Sequence, residues 1–308
     1  MTSQLVQSSE VQALLDRVAG LDRPGGDLRT KLILRRVVSD LFTAMDEFDV
    51  TQEEFWRTLH FLQQSAGEFG LISPGLGFDR FLDIRTDLSD DTNTSGHVTP
   101  RTIEGPLYVP DAPLAQSETR LDDGTDQGNV LLMHGRVLDS SGRPVAGGIV
   151  DVWHANTRGA YSHFDTTQSP YNNRRRIKTD PSGKYQFRSV VPSGYAVPAG
   201  GATEHLMSLV GRHGRRPAHL HFFISAPGHR HLTTQVNIDE DTYLHDDFAF
   251  ATRDGLISKM SLIKDPARIR TAGLTSPFYE IDFDFVLAKA ITDEDSRLPS
   301  RPRAAPPA

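Results

Sequence analysis

Cysteine is absent from the 308-residue chain. Its absence removes disulfides, iron–sulfur clusters, thiolate-bound zinc and a cysteine nucleophile together. Excess positive charge is lacking too: 33 Lys and Arg stand against 40 Asp and Glu, for a formal charge of −7. Non-specific nucleic-acid binding needs a basic face to displace counterions, so this balance argues against that class. No apolar run approaches the ~20 residues that cross a bilayer. The opening Met1-Thr2-Ser3-Gln4 lacks the basic and apolar regions of a signal peptide. A cytoplasmic protein with no membrane span is the default expectation.

What is present suffices for a core. The hydrophobic fraction is 37%, over a length that suits one large or two modest domains. From Leu28 to Val50, apolar residues Leu32, Ile33, Val37, Val38, Leu41, Phe42 and Met45 fall at helical spacing. Thr51 and Glu54 have the spacing of a capping box for a second helix carrying Phe55, Leu59 and Leu62, which ends near Gly67 or Gly70. The segment 71–77, LISPGLG, reads as a loop punctuated by Pro and Gly. Residues 89–99 are polar and turn-rich and mark a change of character. Beyond them come short β-patterned runs at 129–139, 147–154, 184–191, 218–225, 232–238 and 283–288. Such spacing predicts a sandwich or barrel rather than an alternating α/β fold. The basic runs at 174–176 and 212–216 have as their plain reading a solvated loop. No internal repeat is visible, and the Pro/Arg/Ser/Ala-rich end predicts a disordered tail.

The strongest bare chemical signal is His219-Leu220-His221. On a strand, positions i and i+2 share a face, so the two imidazoles point together and supply half a metal site. Such pairs also occur as ordinary strand residues. Tyr161, after Arg158-Gly159-Ala160, and Tyr195, within Pro192-Ser193-Gly194-Tyr195-Ala196-Val197-Pro198, stand in loops that Gly and Pro stiffen. Taken alone, each is a packing residue with its hydroxyl at the surface.

Read together, several segments resemble the intradiol ring-cleavage dioxygenases, and within them the catechol-cleaving branch. They are LISPGLGFDRFLD (71–83), TPRTIEGPLYVPDAP (99–113), RLDDGTD (120–126), VDVWHANTRGAYSHFD (150–165), RRRIKTDPSGKYQFRSVVPSGY (174–195), GRHGRRPAHLHFFISAPGHRHLTTQVNI (211–238) and DDFAFATRDGL (246–256). The resemblance covers the chain from the helical region to about Leu287. It implies an α+β fold: an N-terminal helical dimerisation domain over 1–98, a mainly antiparallel β-sandwich catalytic domain over 99–290, and the tail over 291–308.

The same resemblance implies one non-haem Fe(III) per chain, held by Tyr161, Tyr195, His219 and His221. Phenolates are hard donors that favour the ferric ion. Arg216 and Gln235 match the family's residues beside the substrate and the iron. Leu71, Pro74, Ile103, Gly105, Pro106, Phe248 and Ala249 match the apolar substrate wall. The implied partners are a catechol and O2, with cis,cis-muconate as product, a second copy of the chain docked through the N-terminal helices, and a lipid at that dimer interface.

Three features depart from the family pattern: the segment AVPAGGATEH (196–205), His245 where a Trp is common, and the tail. His245 reads as a surface or pocket-edge residue. These departures leave substituent preference open among catechol, hydroxyquinol and chlorocatechols, although TIEGPLYV (102–109) looks like the plain catechol branch. Two other classes compete. One is a zinc hydrolase built on the His pair, which lacks a third His or acid at zinc spacing. The other is a transthyretin-like binding module, suggested by GRVLDSSGRPVAGGIVDVW (135–153).

Overall fold

The computed structural model describes residues 5–90, 98–293 and 295–305, so most of the turn-rich stretch at 89–99 lies outside the described residues. The chain divides into two compact units, Met1–Ala66 and Gly67–Ala308, whereas the sequence placed a boundary near 98.

The first unit is helical: Ser9–Val18, Leu28–Glu47 and Gln52–Gln64. Each helix starts on a side chain that accepts from an otherwise orphaned backbone N–H. Ser8 serves Val11, Asp27 serves Thr30, and Thr51 forms a reciprocal capping box with Glu54. Arg35 joins the first two helices through Asp16 at 2.6 Å and Gln12 at 2.7 Å. Leu32, Ile33, Val37 and Leu41 of the long helix are exposed. Among the described residues no helix is long and apolar enough to cross a membrane.

The second unit is built on two six-stranded sheets. The first has the order Leu114–Gln116, Arg174–Lys178, Ile149–His154, His219–Ser225, Leu232–Ile238, Ile257–Ser258. The second runs Ser261–Ile263, Phe278–Asp282, Val130–Asp139, Lys184–Val190, Glu118–Arg120, with Phe285–Leu287 also paired to Val130–Asp139. The long central pairs are antiparallel, as expected. The short strands Leu114–Gln116, Glu118–Arg120, Ile257–Ser258, Phe278–Asp282 and Phe285–Leu287 join in parallel, so both sheets are mixed. These strands arrive by long connections rather than tight hairpins, and such connections permit the parallel sense.

Strand alternation sorts the residues between the two faces. Leu220, Phe222 and Ile224 point into the core with Val150, Val152, Val236, Leu131, Met133 and Phe187. Each such side chain contributes ~1.5–3 kcal/mol by leaving water. The same alternation turns His219 and His221 to the opposite face of the first sheet.

Three expectations need correction, and one departure from the family pattern takes a defined form. The run 174–176 is no solvated loop: it opens the strand Arg174–Lys178, and Arg174 is 1% exposed. Its guanidinium finds acceptors inside, donating to the Ser162 hydroxyl and carbonyl, each at 2.9 Å. Segment 71–77 is largely the helix Phe69–Gly75, with Pro74 near its end. That helix is held at its last turn from outside, where Arg212 donates to the Gly75 carbonyl at 2.7 Å and to Phe248 O at 2.9 Å. The Gly-rich departure after Tyr195 contains the helix Ala202–Leu209, which a distant residue caps: Glu68 accepts from Ala202 N, Thr203 N and the Thr203 hydroxyl. Finally, part of the tail packs. Leu298 lies on an aromatic cluster, and Arg303 donates twice to Glu104.

Candidate active site

Two turns deliver the tyrosines. Beyond Ile149–His154, the Asn156 side-chain oxygen accepts from Arg158 N and Ala160 N, closing the turn that presents Tyr161. Gly159 occupies φ +78°, and a Cβ there would lie 2.7 Å from Tyr195 Cβ. Only glycine permits both that backbone and that approach. The second turn places the two-residue strand Tyr195–Ala196 against Arg215–Arg216, with Tyr195 opposite Arg216. The two phenol rings meet edge to face at 88°, with centroids 5.6 Å apart.

Register delivers the histidines. His221 stands opposite Gln235 on one neighbouring strand and Trp153 on the other, and His219 stands opposite Asn237. Trp153 stacks on His221 at 4° with centroids 4.9 Å apart, which fixes that ring's plane. His219 Nδ1 lies 2.6 Å from the Pro217 carbonyl, which can only accept, so Nδ1 carries the proton and Nε2 the lone pair. The Nε2 atoms of His219 and His221 converge to 3.0 Å.

Behind these donors runs a buried polar network. Arg216, 4% exposed, donates to Asp247 through Nε at 3.1 Å and Nη2 at 3.0 Å. It reaches Gln235 Oε1 at 2.9 Å and His219 Nε2 at 3.1 Å. Gln235 donates onward to Asn237 at 2.9 Å. The Arg174 guanidinium sits 5.8 Å from the centre of the Tyr161 ring.

The expected substrate wall divides into three parts. Ile103, Phe248 and Ala249 share one buried cluster with Val197, Met207 and Ala251. Leu71 and Pro74 belong to the short helix Phe69–Gly75, where Pro74 is buried and Leu71 half-buried. Gly105, at φ +70°, would carry a Cβ 3.8 Å from His221 Cε1, and Pro106 lies against Gly70. His245 is exposed. A cavity of about 540 Å³, lined by Arg101, Glu104, Arg230, His231 and Arg301 among others, contains none of the four donors but shares Ile103 with this wall. The convergent donors, not cavity size, mark the site.

Electrostatics fit a cation between the four donors. Burial, with the Arg216 charge next in weight, pushes His219 down to about 3, and burial carries His221 well below its ordinary range. Both are therefore neutral, the form that binds metals. The Tyr161 hydroxyl is buried without a well-formed hydrogen bond. Burial, then the neighbouring Tyr195, holds its phenol well above 10. A strong cation at the converging Nε2 atoms would make its phenolate the stable form. Among the described residues no three His, Cys, Asp or Glu gather as a metal cluster. The zinc reading thus lacks its third ligand, while two phenols and two imidazoles suit a ferric ion.

Asp247, Trp153 and Arg174 were not singled out in the sequence. Asp247 stands 31 residues from Arg216, so no spacing rule links them. Arg174 was masked by its basic neighbours.

Residues 103–289 match the family described as Dioxygenase, and residues 27–94 match Catechol dioxygenase N terminus. The chain is 46% identical to catechol 1,2-dioxygenase of Pseudomonas sp. (strain EST1001), over 98% of this chain and 100% of that one. It superposes on the solved catechol 1,2-dioxygenase of Acinetobacter sp. ADP1 with a TM-score of 0.95 at 44% identity, covering 98% and 100% of the two chains. Hydroxyquinol 1,2-dioxygenase of Rhizobium sp. is 32% identical over 92% of this chain and 96% of its own. The chain belongs to the intradiol ring-cleavage dioxygenase family, and within it is most like the catechol 1,2-dioxygenases.

Proposed function

We propose that this protein cleaves catechol between its two hydroxyl-bearing carbons with O2, giving cis,cis-muconate, at one Fe(III) per chain held by Tyr161, Tyr195, His219 and His221. The observation that carries the reading is the convergence of two buried imidazole Nε2 atoms, 3.0 Å apart, beside two phenols. When bound, the ferric ion supplies a Lewis acid that draws electron density from the catecholate and readies it for O2. Both oxygen atoms enter the product and the substrate provides all four electrons, so no outside reductant is required.

The chain's own residues do the rest. Tyr195 is half-buried where Tyr161 is buried, so Tyr195 is the one of the two with room to move aside and would take a catechol proton on its oxygen. Arg216, held by Asp247 and Gln235, keeps a fixed cation where negative charge builds on the ring. Ile103, Phe248 and Ala249 present a dry wall that orients a planar aromatic. Higher identity to catechol enzymes than to the hydroxyquinol enzyme supports unsubstituted catechol as the preferred diol. The exposed apolar residues Leu32, Ile33, Val37 and Leu41 support a homodimer formed through the helical unit.

The test is oxygen uptake by the purified protein on catechol, with muconate followed in the ultraviolet and iron assayed. Uptake, muconate and bound iron are expected. Iron without uptake on catechol but with uptake on hydroxyquinol would move the substrate. Neither iron nor uptake would sink the reading.

A further inference from the structure

The substrate wall segment 102–108 is pinned at both ends. At one end Thr102 N donates to Thr233 O at 3.0 Å and the Thr102 hydroxyl to Ala251 O at 2.8 Å. At the other the Tyr108 hydroxyl donates to Asp151 at 2.7 Å. Between the pins lie Gly105 at φ +70° and Pro106, which has no N–H to donate. The wall residues Ile103, Gly105 and Pro106 therefore stand on the part of the segment whose backbone is least able to fix itself.

Glu104 ties that part down, and its partner comes from the C-terminal end. Its carboxylate is 7% exposed and accepts from Arg303 Nε and Nη2, each at 2.8 Å. Arg301 lies 3.8 Å away as a second cation. Arg303 also donates to Pro299 O at 2.9 Å, and its guanidinium stands 5.9 Å from the centre of the Tyr108 ring. Five residues earlier Leu298 packs on the cluster of Tyr108, Trp153, Ala155, Tyr161 and Phe223. Earlier still, Asp295 O accepts from His231 N at 2.8 Å. Successive anchors thus carry the segment 295–303 across the outside of the wall. Pro299 and Pro302 restrict the chain between them, which lowers the entropy lost on docking.

A two-pronged guanidinium–carboxylate pair sets direction as well as distance. Here it acts on the residue between two wall positions. We propose that Arg303, seconded by Arg301, is a positioning residue: the C-terminal segment is a clasp that holds Glu104 and thereby sets the wall formed by Ile103, Gly105 and Pro106 against the aromatic substrate. The inference rests on the proposed catechol-cleaving reading of the site. It adds that substrate fit depends on residues 295–303, whose Arg301 and Arg303 act through Glu104 and not through the substrate or the proposed iron ligands.

The experiment compares R303A, R301A/R303A, R303K and Glu104→Gln with the parent protein in steady-state kinetics on catechol and 4-methylcatechol. It adds amide hydrogen exchange over residues 103–108. In R303A the KM for catechol rises about tenfold while kcat stays within about threefold, the signature of lost substrate positioning. The preference for catechol over 4-methylcatechol narrows, and exchange over 103–108 quickens. R303K recovers most of the KM, because a cation remains. Should R303A fail to fold, Glu104→Gln, which keeps the side chain's shape, is read in the same assays with the same expectation. An unchanged KM and unchanged exchange in R301A/R303A overturn the clasp. So does a lowered melting temperature with both kinetic constants intact. If the parent protein itself consumes no O2 with any diol, the reading of the site fails, and the exchange comparison alone decides the clasp.

Discussion

Arg216 and Asp247 form a buried, two-pronged ion pair, at 3.1 Å and 3.0 Å, with side chains 5% and 1% exposed. Burial disfavours the Arg216 charge, but the Asp247 carboxylate together with Tyr195 and Tyr161 more than offsets it and raises the group's pKa. The pair anchors the cation that reaches both Gln235 and His219. Removing Asp247 leaves a buried guanidinium without its counter-charge. Asp247→Ala is expected to cost ~3–5 kcal/mol in chemical denaturation and to lower kcat/KM for catechol. Asp247→Asn, which keeps an acceptor, should lose less of both. An Asp247→Ala protein of parental stability would show that other groups hold Arg216.

Gly105 ties backbone conformation to the site. Alanine at its φ of +70° costs ~1 kcal/mol, and the new Cβ points at His221 Cε1 from 3.8 Å. Gly105→Ala is expected to retain its iron and to lose roughly 10–100-fold in kcat/KM, as a small misplacement of the reacting ring does. Parental kinetics in an iron-loaded Gly105→Ala would remove this residue from the wall.

Asp151 gives a pH prediction of definite sign. Burial pushes its carboxyl up to about 7, against the opposing pull of the Tyr108 hydrogen bond and the charges of Arg176 and Arg174. An unfolded Asp titrates near ~3.9. Between those values the folded protein binds more protons than the unfolded chain, so this group's contribution to stability falls as pH rises from about 4 to 7. Asp151→Asn does not titrate and should flatten that slope. Denaturation curves at pH 5 and pH 8 check it, with an expected difference on the order of a few kcal/mol. Parallel pH profiles for the two proteins would contradict it.

Tyr161→Phe removes a proposed iron ligand whose hydroxyl is buried without a well-formed partner. Loss of iron, or loss of the visible tyrosinate absorption if iron stays, is the expected result by metal analysis and spectroscopy. An active, coloured, iron-loaded variant would take Tyr161 out of the ligand set.

Much of the fold could be read from periodicity. The capping box at Thr51 and Glu54 is local chemistry and stands where the spacing put it. The six predicted β-runs each end within two residues of an observed strand, because side-chain alternation is a property of the strand itself. What escaped was decided by distant partners. Arg174 looked solvated among three arginines until Ser162 and Tyr161 surrounded it. The helix Ala202–Leu209 begins after glycines that cap nothing, and Glu68 supplies the missing acceptors from 134 residues away. The parallel strands depended on long connections that carry no periodic signal.

The sequence by itself determined that His219 and His221 share one strand face, because i and i+2 geometry needs only neighbours. The family resemblance, and not spacing, put Tyr161 and Tyr195 forward as the proposed partners of that pair. Tertiary structure alone decided that those tyrosines meet the histidines, through the contact of Gly159 with Tyr195 and the pairing of Tyr195 with Arg216. It also decided that Asp247 holds the cation and that Arg303 reaches Glu104 across 199 residues. Local pattern encodes which way a side chain faces. Which groups share a buried space depends on how separate segments pack, and there an unpaired charge is too costly to leave without its partner.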